Sequence, residues 1–66
     1  MRFEIPNQTR RNLAASRLKR EGYEVRATPT PRGAVGHVLD VLNVEDGTVV
    51  VERLVAEVAP DSARTT

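Results

Sequence analysis

Sixty-six residues suffice for one domain and no more, since domains run from about 50 to 250 residues. With 39% hydrophobic and 29% charged residues the chain is too apolar for disorder, and the absence of cysteine excludes disulfides and thiolate metal sites. The net charge of +1 rules out an overall polycation, and no run reaches the roughly 18 apolar residues of a membrane helix. Met1-Arg2-Phe3-Glu4-Ile5-Pro6 is charged at position 4 and lacks the apolar heart of a secretion signal, so a cytoplasmic location is expected. A chain this short buries only about 60% of its unfolded surface, and association with a copy or a partner is the natural supplement to a thin core.

The small net charge hides an asymmetry. Residues 1–33 hold eight Arg or Lys against Glu4, Glu21 and Glu24, a net of +5. Residues 34–66 hold Arg53 and Arg64 against six acids, a net of −4. Such a division suits a polyanion-binding half, or two halves that attract each other within or between chains.

Phe3 and Ile5 alternate with Arg2 and Glu4, which predicts a first strand with one buried face. Pro6-Asn7 ends it, and Asn7 or Thr9 can cap the helix predicted from Gln8 to Glu21. Gly22 stands where a glycine ends a helix in the left-handed conformation. Tyr23 to Thr28 alternates again, giving a second strand. Pro29 and Pro31 remove two ladder donors, so residues 29–36 are predicted as an exposed loop.

The second half supports two readings. In the first, His37 to Val44 is a strand and Thr48 to Ala59 a helix, capped by Asp46 or Thr48, with Val50, Val51, Leu54, Val55 and Val58 as its apolar stripe. In the second, Val35, Val38, Leu39 and Leu42 form a helical stripe and Thr48 to Val58 is a strand, which the β-branched valines favour. The lack of alternation in Glu52 to Val58, with Pro60 as a stop, makes the first preferable. The expected architecture is therefore α+β, a ferredoxin-like β-α-β-β-α unit with an antiparallel or mixed three-stranded sheet and both helices on one face. The alternative is β-α-β-α-β. Residues 1–60 form the domain and 61–66 a flexible tail.

Three surfaces are candidates for contact. Arg10, Leu13, Arg17 and Arg20 share one side of the first helix, a basic row around a leucine, where arginine forks suit phosphates or carboxylates. Arg32-Gly33-Ala34-Val35-Gly36 has a Gly-x-x-Gly spacing that resembles the backbone clamp of K-homology RNA-binding domains over four residues. That resemblance implies a loop between two helices with a basic residue inside; here Ala34 and Val35 lie inside, and residues 33–43 would have to be helical. Finally, Val38, Leu42 and Val44 lie on one side of the third strand with Leu39 and Val41 on the other. Apolar residues on both faces imply cover on both, hence a dimer or a partner on the open sheet face.

Catalysis has little purchase. A hydroxyl nucleophile, Ser16, Ser62 or a threonine, would have to meet His37, the only histidine, and Asp40, Glu45 and Asp46 do not have metal-ligand spacing. The expectation is a non-enzymatic binding or regulatory module without cofactor or small-molecule substrate. It would act through protein contact as a homodimer or with another protein, the alternative being a nucleic-acid-binding module using the basic helix.

Overall fold

Alternation yields β1 (Arg2–Ile5), with Phe3 and Ile5 buried and Arg2 and Glu4 exposed. The computed structural model, which describes residues 1–33 and 36–65, continues with α1 (Gln8–Arg20), β2 (Val25–Ala27), β3 (His37–Val41), α2 (Thr48–Val58) and β4 (Ala63–Arg64).

Both ends of α1 follow from single residues. Asn7 is the N-cap, its side-chain oxygen accepting the Arg10 N–H at 2.9 Å. At the other end Gly22 takes φ +94°. The Gly22 N–H donates to the Lys19 carbonyl and that of Tyr23 to Leu18, both at 3.0 Å, the paired bonds of a Schellman closure.

The sheet is four-stranded and antiparallel throughout, in the order β2-β3-β1-β4. β1 and β2 both run antiparallel to β3, so they are parallel to each other and β3 lies between them. By the same logic β3 and β4 are parallel and separated by β1. The expected count of three strands is thus corrected to four. The missing strand was hidden in the presumed tail, where Ala63 and Arg64 pair with Glu4 and Phe3. The pairing is backbone-driven: both residues are exposed, so no apolar pattern marks them.

Of the two readings of the second half, the structure has the first: residues 37–41 are extended and residues 48–58 helical. Two details differ. The strand ends at Val41, before Leu42 and Val44, and the N-cap of α2 is Gly47, with no side-chain capping bond from Asp46 or Thr48. A Cβ at Gly47 would collide with the Tyr23 hydroxyl, so a larger residue there needs the tyrosine to shift.

All core residues lie on one side of the sheet. Phe3 is opposite Leu39 in register, and with Ile5 and Val41 they join Ala14, Ala15 and Leu18 of α1 and Val51, Leu54 and Val55 of α2 in one cluster. Both helices therefore cover the same face. No described helix is long and apolar enough to cross a membrane.

Candidate functional site

The orientation of α1 follows from its buried residues, Arg11, Ala14, Ala15 and Leu18, spaced i, i+3, i+4, i+7 as a buried stripe should be. At 100° per residue this turns Arg10, Leu13, Arg17 and Arg20 outward within about 80° of arc, and all four are exposed. The row expected from the sequence is intact. Leu13 is 54% exposed at its centre.

The neighbouring helix has exposed apolar residues of its own. Val51, Leu54 and Val55 bury its inner side, and of the three consecutive valines only Val51 can point inward. Val49 and Val50 are left 66% and 54% exposed, so Val50 is not part of the buried stripe expected for it. Of the four large hydrophobic residues exposed among the described ones, three (Leu13, Val49 and Val50) are on the helices.

Charge pairing explains part of the asymmetry between the halves. Arg2 is paired with Asp40 at 2.8 Å across β1 and β3, and Arg17 reaches Glu57 of α2 at 3.9 Å. Both join the basic half to the acidic one. Arg64 pairs with Glu52 at 2.5 Å, tying β4 to α2. Asp40's hydrogen bond, and then its charge, raise the Arg2 guanidinium above its ordinary pKa. Arg10, Lys19 and Arg20 on α1 and Arg53 on α2 are exposed with no ion-pair partner among the described residues. The helix layer thus combines exposed apolar side chains with uncompensated cations.

Arg11 is the residue that the sequence reading missed. It is only 4% exposed, and its guanidinium donates to Asn12 Oδ1 at 2.8 Å and to the Thr28 and Val38 carbonyls at 3.0 Å each. It thereby fastens the end of β2 and the body of β3 to α1. Its spacing was the available signal: Arg11 is one turn before Ala14, Ala15 and Leu18, on the stripe that faces inward.

The loop candidate is placed differently. Arg32 and Gly33 form an exposed turn, with Gly33 at φ +89°, while Ala34 and Val35 lie outside the described residues. Gly36 packs against Glu4, whose carboxylate would lie 3.2 Å from an added Cβ. The segment joins two strands, and His37–Val41 is extended, so the helix that the K-homology resemblance requires after the second glycine is not formed.

Val38, Leu42 and Val44 do not make one surface. Val38 faces away from the helices, as its alternation with buried Leu39 and Val41 requires. Leu42 is exposed beyond the strand end, whereas Val44 packs against the helix-side core. The remainder of the open face is polar: in register across it, Arg26 is opposite Asp40 and Asp40 opposite Arg2, with Glu4 opposite Val38. An apolar second side of the third strand is therefore not what forms, because Asp40 occupies its middle and the strand stops before its outer apolar residues.

His37 does meet a hydroxyl, which the spacing did not foretell: Thr30 Oγ1 and His37 Nδ1 are hydrogen-bonded at 2.6 Å. The bond closes the β2–β3 connection on itself. Among the described residues there is no group of three or more His, Cys, Asp or Glu able to hold a metal ion. Comparison with models of protein families, with curated proteins and with solved structures finds no match.

Proposed function

We propose that this chain is a small, non-enzymatic, cytoplasmic binding module that engages another protein through its helix layer. The observation that carries this reading is the coincidence, on one layer, of exposed Leu13, Val49 and Val50 with Arg10, Arg20 and Arg53, cations that make no ion pair among the described residues. Exposed apolar patches rimmed by polar residues mark protein interaction sites, and arginine is enriched in protein interfaces. The fold is read as ferredoxin-like. Its support is the β-α-β-β-α-β order, with each parallel strand pair split by an antiparallel neighbour.

The open sheet face is the weaker candidate for a homodimer. Four strands about 4.8 Å apart and at most five residues long give a footprint of no more than roughly 300 Å², well short of the about 800 Å² per partner of a stable interface. Nucleic acid remains the second reading, favoured by the persistence of the exposed row Arg10, Arg17 and Arg20. Phosphate binding would make affinity fall by about 0.9 log unit per contact for each log unit of salt on B-DNA.

The test compares the immobilised chain with its Leu13→Ser/Val50→Ser variant, identifying retained proteins by mass spectrometry. Both positions are exposed, so the variant is expected to fold. A protein retained by the parent and lost by the variant is the expected result. Identical retention by both, or recovery only of nuclease-sensitive material, would overturn the proposal.

A further inference from the structure

A surface cavity lined by Glu4, Pro6, Gly36, Asp61 and Ala63 offers two exposed carboxylates and nothing that points to a ligand. The helix layer carries more. From the charges of that layer we infer that its occupant is an acidic segment of the partner protein, presenting carboxylates to Arg10, Arg17 and Arg20 and an apolar side chain to Leu13. This rests on the reading that the helix layer is the contact surface, and it adds the chemistry of what sits there.

Three observations converge. First, Arg10 occupies the first turn of α1, where the helix dipole disfavours a cation, and no acidic residue offsets it there. An exposed position that works against the folding preference of its own helix is where a functional role is expected. Second, the one ion pair that the row makes among the described residues is that of Arg17 with Glu57, at 3.9 Å between two well-exposed side chains. A contact that long and wet is readily exchanged for a partner's carboxylate. Third, Leu13 stands inside the row, 54% exposed. A phosphate backbone has no use for a leucine, whereas an amphipathic acidic segment does. At 1.5 Å rise per residue Arg10 and Arg17 are about 10 Å apart along the axis and Arg10 and Arg20 about 15 Å. A helix with carboxylates two and three turns apart matches that row.

Calorimetric titration of the whole chain provides the test, with three probes: a synthetic amphipathic helix bearing glutamates at that spacing and leucines between them, the same peptide with glutamine for glutamate, and a short DNA duplex. The acidic peptide should bind about tenfold or more tightly than its glutamine counterpart, and the Arg10→Glu/Arg20→Glu variant should lose about as much. Thermal melting confirms that the variant is folded. Equal binding of the two peptides, tighter binding of the duplex, or no binding of the acidic peptide overturns the inference. Insensitivity to the charge reversals together with loss in Leu13→Ser/Val50→Ser removes the acidic partner and leaves the helix-layer reading standing; insensitivity to both removes both.

Discussion

Arg11 shows at the scale of one side chain how a charge can be buried without a counter-ion. A guanidinium out of water is costly unless its donors are satisfied, and here carbonyl and amide oxygens supply the acceptors. Replacement by methionine keeps the bulk but removes the donor to the Thr28 and Val38 carbonyls in part-buried bonds, and an unpaired group out of water costs about 1–3 kcal/mol. Arg11→Met should therefore lower the urea-unfolding free energy by about 2–4 kcal/mol; a change below about 0.5 kcal/mol would show that these bonds contribute little. The ends of α1 provide smaller tests. Asn7→Ala should cost about 1 kcal/mol through the lost cap, and Gly22→Ala about as much because alanine resists positive φ. The raised Arg2 guanidinium, in contrast, should add no pH dependence in the working range. A base whose pKa is raised by folding stabilises below its unfolded value, and that contribution is lost only as pH climbs through the raised one. For an arginine this window is far into alkali.

At the scale of elements, α1 and α2 both carry residues that their own helices would not choose. Arg10→Glu should raise the melting temperature, the reversal at the dipole's positive end being worth about 0.3–1 kcal/mol. Val49→Ala/Val50→Ala should also stabilise, by a few tenths of a kcal/mol per site, because exposed β-branched residues gain nothing from packing and lose χ1 freedom. Melting curves of the variants check both; destabilisation by either would mean that these residues make contacts within the chain. How legible each element was follows from the same physics. Strand β1, helix α1 with its closing glycine, and the helical character of residues 48–58 were all readable, because burial imposes a period on them. β4 was not, since two exposed residues held by backbone bonds leave no pattern. The outward basic row was legible from helical spacing alone, but the inward Arg11 was passed over because an arginine on a buried stripe contradicts the usual equation of charge with surface. The second side of β3 was misjudged because counting apolar residues from 37 to 44 took the strand to be longer than its hydrogen bonds make it.

For the whole molecule the decisive quantity is the small core. At about 0.05–0.15 kcal/mol per residue a chain of this length has only about 3–10 kcal/mol of stability. Leu39 is fully buried on a central strand, and Leu39→Ala at about 2–5 kcal/mol should leave a substantial unfolded fraction at room temperature, measurable by circular dichroism. A native-like melt would mean that the core tolerates the cavity. The radius of gyration of 10.7 Å agrees with the about 10.8 Å expected for an independent domain of this length. Under the proposed reading, the polar ladder on the open sheet face leaves the chain a monomer in the absence of its partner. Sedimentation at high micromolar concentration should show one species of monomer mass, and a dimer there would return the sheet face to consideration.

The position of Arg11 also bears on how the molecule opens. Because one guanidinium spans α1, the end of β2 and β3, the first helical turn cannot fray without releasing the strand-to-strand connection, and the reverse holds too. Amide protons in the two regions should trade with deuterium as a single cooperative group, although some seventeen residues separate Arg11 from Thr28 along the chain.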